Sequence, residues 1–107
     1  MNYRVNLLKN AEDDLFEIYK YVFFNDSEEN AENLFAKLYK KCSQLREHPN
    51  RGYVPPELVL LEINEFLEIH YKSYRIIYQI IKNEVFVHCV LDGRRDIQKI
   101  LQERLLR

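Results

Sequence analysis

The stretch Leu67–Leu91, LEIHYKSYRIIYQIIKNEVFVHCVL, decides the fold. Three runs rich in β-branched and aromatic residues, Leu67–Tyr71, Tyr74–Ile81 and Val85–Leu91, are separated only by Lys72-Ser73 and Lys82-Asn83. Such short breaks predict tight hairpins and an antiparallel meander. Asn83 suits its turn because Asn tolerates a positive φ. Two-residue turns would set Tyr71 opposite Tyr74, His70 opposite Arg75, Ile81 opposite Glu84 and Ile77 opposite His88. Alternation then sorts the side chains onto two faces. One face carries Leu67, Ile69, Tyr71, Tyr74, Ile76, Tyr78, Ile80, Val85, Val87, Cys89 and Leu91, and is the expected core. The other carries Glu68, His70, Arg75, Ile77, Gln79, Phe86, His88 and Val90. A one-residue change in either turn would flip a strand and scatter this second set.

Upstream, Tyr3–Leu8 is a short strand candidate. Asn10 is placed to cap a helix whose first turn holds Glu12, Asp13 and Asp14, acids that suit the positive end of a helix dipole. Ala11, Leu15, Ile18, Tyr19 and Val22 form one helical stripe. Asp26 or Ser27 caps a second helix, in which Ala31, Leu34, Phe35, Leu38, Cys42 and Leu45 repeat the spacing. Two amphipathic helices joined so closely form an antiparallel hairpin. His48–Glu57, HPNRGYVPPE, is the only loop-like stretch, and its prolines exclude helix and central strand. Downstream, Asp92-Gly93 ends the third strand, and Asp96 caps a terminal helix from Ile97 to about Leu106. The order β-α-α-β-β-β-α predicts an α+β fold, a small antiparallel sheet covered on one face by the N-terminal helix hairpin.

The 107 residues fit one domain, 1–107, and can bury a core without staples. With 16 basic and 17 acidic residues the chain lacks the basic excess of a nucleic-acid binder. Cys42 and Cys89 lie in apolar patterns without metal-ligand spacing and read as buried hydrophobes of a reducing compartment. No metal or cofactor is expected. No apolar run reaches the ~20 residues of a membrane span, and no leader pattern opens the chain. A cytoplasmic protein without membrane contact is expected.

The mixed sheet face supports three readings. Glu68, His70, His88 and Arg75 include a base, an acid and a cation for phosphate charge, enough for metal-free RNA cleavage. They also fit a solvated face. Ile77, Phe86 and Val90 among them fit a face covered by a protein partner. Charge is uneven: residues 72–107 hold eight basic and four acidic residues, against eight and thirteen before them. This basic end, with Arg94, Arg104 and Arg107, is a candidate contact for a target or partner. Arg94-Arg95 beside Asp92 and Asp96 equally fit a local ion-pair knot that fixes the last helix.

YRIIYQI and VFVHCVLDGRR resemble the C-terminal half of the ParE/RelE toxin superfamily. HPNRGYVPPEL resembles the ParE-type segment that follows the helix hairpin, and Ala-Glu-Asp-Asp-Leu at 11–15 resembles the opening of its first helix. The likeness spans almost the whole chain. It implies the toxin half of a type II toxin–antitoxin pair, of the plasmid-stabilisation type, held inactive by a cognate antitoxin that wraps its surface. RelE-like members are ribosome-dependent mRNA endonucleases, and ParE-like members poison DNA gyrase. The RelE-like pattern places arginines at Arg75 and Arg95. Its basic strand residues fall on Glu68 and Phe66 here, and its later Tyr falls on Leu101. Two arginines remain, while the basic strand and the Tyr do not. The chain also lacks the Arg-Tyr-His-Tyr-like tail of the related endonuclease branch. The ParE-like branch is therefore expected, with gyrase as target. The alternatives are an endonuclease acting on ribosome-bound mRNA through Arg75, Arg95, Glu68, His70 and His88, and an inert relative that only binds.

Overall fold

The structure, a computed structural model, describes residues 2–106. Strand β1 (Arg4–Leu7) leads into helix α1 (Lys9–Asn25) and helix α2 (Glu28–Ser43). Two short 3₁₀ turns, Gln44–Arg46 and Pro49–Arg51, and a single helical turn, α3 (Pro56–Val59), follow. Strands β2 (Phe66–Tyr71), β3 (Tyr74–Ile81) and β4 (Glu84–Asp92) form the meander, and α4 (Ile97–Leu105) ends the chain.

The element order matches the expectation, with local differences. Helix α1 begins at Lys9, behind Leu8, and Asn10 lies inside it rather than capping it. Ser27 does cap α2, its hydroxyl accepting from the Asn30 N–H at 3.0 Å. Asp96 caps α4 through the Lys99 N–H at 3.1 Å. The proline-bounded loop contains a 3₁₀ turn and α3, because proline is tolerated in a first helical turn. In the hairpins the left-handed residues are Lys72 (φ 53°) and Lys82 (φ 57°), not Asn83.

The sheet order is β1-β4-β3-β2. β2, β3 and β4 are antiparallel as expected, but β1 joins β4 in parallel, so the sheet is mixed. Both turns are two residues long, and His70 pairs with Arg75, Tyr71 with Tyr74 and Ile81 with Glu84. The expected pairing of Ile77 with His88 does not form. A bulge in the β3–β4 ladder leaves Ile77 opposite Cys89 and Tyr78 opposite Val87, with His88 as the extra residue.

That extra residue reverses the rest of β4. Cys89 and Leu91, expected under the helix hairpin, lie on the opposite face, and Val90, expected opposite, lies under the hairpin. Hence the sheet is covered on both sides. Ala11, Leu15, Leu38, Cys42 and Leu45 pack on Ile76, Tyr78, Val85, Val87 and Val90. On the other side Leu58, Ile97, Ile100 and Leu101 pack on Phe66, Ile77, Cys89 and Leu91. Each fully buried aliphatic side chain contributes about 1.5–3 kcal/mol. A single-faced sheet would have forgone the second set.

β1 ends at Leu7 and its pairing closes with Leu8 N–H on Val87 C=O. The free edge of β4 beyond that point is met by Asp14, whose Oδ2 accepts from Val90 N–H at 2.9 Å. Among the described residues, no helix is long and apolar enough to cross a membrane.

Candidate functional site

Residues 49–58 wrap the free edge of β2, from the hairpin side, where Tyr78 seats their start, to the outer face, where Leu58 packs. The buried Tyr78 hydroxyl donates to Pro49 C=O at 2.5 Å and accepts from Gly52 N–H at 3.2 Å. Gly52 is required there, since a Cβ would fall onto the Tyr78 hydroxyl and within 2.7 Å of Glu68 C=O. Tyr53 then pairs with Glu68 through two backbone hydrogen bonds, like a fragment of a fifth strand. Four residues on, α3 presents Glu57.

These constraints converge on Arg75. Its Nε and Nη2 donate to Glu68 at 2.6 and 2.9 Å, and its Nη1 and Nη2 donate to Glu57 at 2.8 and 2.7 Å. Glu68 is fully buried. The arginine holds the Glu57 carboxyl below its usual range, and the two carboxylates push the Arg75 guanidinium further toward the charged form. Bidentate contacts of this kind use the donors a phosphate would need.

His70, half exposed, lies beside this pair. Its Nε2 is 2.9 Å from the Tyr53 hydroxyl and 3.3 Å from Glu68 Oε1. The facing carboxylate favours the tautomer with the proton on Nε2. The Tyr53 hydroxyl and the buried Glu68 carboxylate thus meet the same ring nitrogen, which places His70 at the cluster's solvent side without a relay through the ring. With a neutral imidazole, two carboxylates against one guanidinium leave the cluster negative.

The expected constellation therefore assembles in part. Glu68, His70 and Arg75 meet as the hairpin register predicts. His88 does not join them. The bulge turns it toward Gln79, whose Oε1 is 3.1 Å from its Nε2, and its ring packs edge-on against Phe66. Arg95 is exposed near the start of α4; its backbone N–H donates to Asp92 C=O at 3.1 Å, and its side chain shares none of the hydrogen bonds of the Arg75 cluster.

Of the candidate contacts at the basic end, Arg94 and Arg104 are paired within the chain. Arg94 donates to both Asp92 oxygens, at 2.6 Å from Nη2 to Oδ2, the one ion pair that forms of the expected knot with Arg95 and Asp96. Arg104 donates to Asp14 from both terminal nitrogens, at 2.7 and 2.8 Å. Arg107 lies outside the described residues. A cleft of about 470 Å³ remains between α1 and this end, lined by Tyr21, Tyr74, Asp92, Arg94, Arg95 and Arg104. Among the described residues, no group of three or more His, Cys, Asp or Glu is arranged to hold a metal ion.

Sequence reasoning missed Glu57, Tyr53 and Asp14. Asp14 carried a signal, being an acid on the apolar stripe between Ala11 and Leu15. Tyr53 and Glu57 sat in the loop, where spacing gives no contacts.

A mixed four-stranded sheet behind an N-terminal helix hairpin, with a terminal helix on its far side, is the architecture of the RelE and ParE toxins. The chain superposes on the chromosomal ParDE toxin–antitoxin system of P. aeruginosa with a TM-score of 0.69, at 14% identity over 82% of this chain and 92% of that one. It matches the RelBE2 toxin–antitoxin complex of Mycobacterium tuberculosis with a TM-score of 0.63, at 18% identity over 86% and 92%. It matches a double arginine-to-alanine variant of E. coli RelE in the free state with a TM-score of 0.64, at 19% identity over 100% and 98%. No curated protein matches the sequence. Residues 5–97 match the family of ParE toxins of the type II toxin–antitoxin system parDE, and the chain belongs to that family.

Proposed function

We propose that this chain is a growth-inhibiting toxin that poisons DNA gyrase and is neutralised by a cognate antitoxin. The observation that carries this reading is the state of Arg75. An endonuclease of this fold would turn that guanidinium toward the scissile phosphate. Here it is clamped by Glu57 and Glu68, and the surrounding charge is negative, so phosphate approach is opposed. The near-neutral chain agrees, with a net charge of −1. The antitoxin is the natural partner of a ParE-family toxin, and coupled folding of a disordered tail would suit it.

The test is expression of the chain alone in bacteria, with the DNA damage response and translation rate followed together. Damage preceding translation arrest, with cleaved DNA trapped on purified gyrase, is the expected result. Translation arrest first would reverse the choice. Co-expression with the neighbouring small reading frame should restore growth and yield a stable complex.

A second reading, ribosome-dependent mRNA cleavage, rests on His70, half exposed beside the Tyr53 hydroxyl and the Glu68 carboxylate. A solvent-accessible imidazole is a group that can take or give a proton near neutral pH, and the reading needs only that. In a translation extract this reading requires cleavage by the natural chain and at least a hundredfold loss in His70→Gln. No cleavage from either is expected.

A further inference from the structure

We infer that the turn ending α3, Val59–Leu61, is an apolar knob that seats in a socket on the folded protein this toxin acts on, a socket rimmed by Lys and Arg. The inference rests on the toxin reading above and names the surface that makes the contact. Leu60 is 87% exposed, the most exposed large apolar side chain among the described residues, and Val59 and Leu61 beside it are 53% and 47% exposed. A single exposed leucine is ordinary on a protein surface, whereas a contiguous apolar set marks an interaction site.

The backbone holds this knob in one shape. Ile63 N–H donates to Leu58 C=O at 3.1 Å, and Glu62 N–H donates to Val59 C=O at 3.0 Å. This is the Schellman closure of a helix, with Glu62 left-handed at φ 58° where glycine is the usual residue. Leu58 and Ile63, on either side of the knob, are both anchored in the outer core cluster, while Val59, Leu60 and Leu61 join neither cluster. The two anchors thus display residues that do nothing for the core. Such pre-ordering lowers the entropy cost of docking.

Shape and charge identify the occupant. A convex knob needs a concave partner, and a folded protein has its socket before contact. A segment that is disordered when free docks as a helix or strand into a groove instead. The chain around the knob is acidic: residues 52–71 contain Glu57, Glu62, Glu65 and Glu68 and no Lys or Arg. Arg75 reaches in to pair with Glu57 and Glu68. Glu62 and Glu65 are exposed and take part in no ion pair among the described residues. On α4, which shares the cluster of Leu58, Lys99 and Glu103 are exposed one turn apart and offset each other, and Arg104 is held by Asp14. Lys41 and Arg51 lie with Tyr53 and His70 in a hollow beside the free edge of β2. An apolar knob with Glu62 and Glu65 at its base is complementary to an apolar socket with a basic rim. An enzyme that handles DNA carries basic surface for its own substrate, whereas exposed RNA phosphate would repel these carboxylates.

Growth arrest by the chain expressed alone reads this contact whichever protein is the target. Leu60→Ser should need about tenfold more expression than the natural chain to arrest growth, because an anchor in a socket carries much of the binding. Glu62→Gly separates contact from fold. Glycine suits the left-handed position, so urea unfolding should find this variant at least as stable as the natural chain, yet its arrest should weaken severalfold with the lost charge. Glu65→Lys should weaken arrest in the same direction. All three variants should still bind the antitoxin of the neighbouring reading frame. Arrest by Leu60→Ser at the natural dose overturns the proposal, as does a natural chain that arrests nothing, or full potency in both Glu62→Gly and Glu65→Lys. Loss of antitoxin binding in Leu60→Ser would assign the knob to the antitoxin, and a natural dimer that Leu60→Ser dissociates would assign it to a second copy; either result also overturns it. Trapping of cleaved DNA on purified gyrase is scored separately. Arrest without trapping defeats the gyrase reading and leaves the Leu60 comparison to decide the knob.

Discussion

Arg104 of the last helix holds Asp14 of the first through two hydrogen bonds of 2.7 and 2.8 Å, and the same carboxylate accepts the free edge amide of Val90. One side chain thus joins α1, β4 and α4 where β1 has run out. Asp14→Ala removes the partner of a buried N–H and of a guanidinium at once and should cost about 2–4 kcal/mol. Arg104→Ala leaves Asp14 its Val90 bond and, with Arg104 a quarter exposed, should cost about 1 kcal/mol. Urea unfolding of both variants measures the order. Equal losses would mean that the edge amide gains nothing from Asp14.

Arg75 is expected to matter for stability before it matters for chemistry. Arg75→Ala strands the buried Glu68 carboxylate and should cost about 3–5 kcal/mol. Adding Glu68→Gln should return a substantial part, because the stranded charge is then gone. Non-additive urea midpoints would show this coupling. Loss of growth inhibition in Arg75→Ala alone would therefore say little about catalysis. The same cluster gives an acid limb. Glu57 binds its proton less readily folded than unfolded, so its stabilisation is present above the ordinary carboxylate value of 4.5 and is lost as pH falls below it. Glu57→Gln should flatten the fall in stability below that pH.

The two cysteines are expected to be inert in the folded chain. Burial pushes the Cys42 thiol up to about 12 and the Cys89 thiol up to about 11, and thiolate is the reactive form. A colourless-to-coloured thiol exchange reagent at pH 8 should find almost no reactive group in the native protein and two after denaturant is added. Rapid native labelling of Cys89 would mean that α4 opens readily from the sheet.

Most of the fold was legible because its signals are local. The hairpin turns after Tyr71 and Ile81, the helical stripes and the caps at Ser27 and Asp96 each depend on a few neighbouring residues. The meeting of Glu68, His70 and Arg75 followed from turn length alone. The bulge at His88 was not legible, since the sequence VFVHCVL alternates as well with it as without it. Its effect was to carry Cys89, Leu91 and Val90 to the faces opposite those expected. The pairing of β1 with β4, and of Asp14 with Arg104, joins residues far apart in the chain, where spacing carries no information. Glu57 was hidden for the same reason. Only the assembled loop brings it to Arg75, and that contact turns a plausible phosphate-binding arginine into an internal ion pair.

The bulge residue itself should set a pH limb distinct from that of Glu57. Burial lowers the pKa of His88 from its ordinary 6.5, so the folded chain holds the imidazole neutral beside Gln79 and Phe66. The unfolded chain protonates near 6.5 and therefore takes up more protons than the folded chain just below that pH. Stability should be full above about pH 6.5 and should decline as pH falls below it, until His88 protonates in the folded state too. For one group the slope cannot exceed about 1.4 kcal/mol per pH unit. His88→Gln retains a partner for Gln79 and cannot be protonated. The difference between the natural chain and this variant, measured by urea unfolding from pH 7.5 to 5, cancels the contributions of His48 and His70. A difference that narrows as pH falls, with the natural chain losing ground, is the expected result. A difference constant with pH would mean that the bulge leaves His88 open to water.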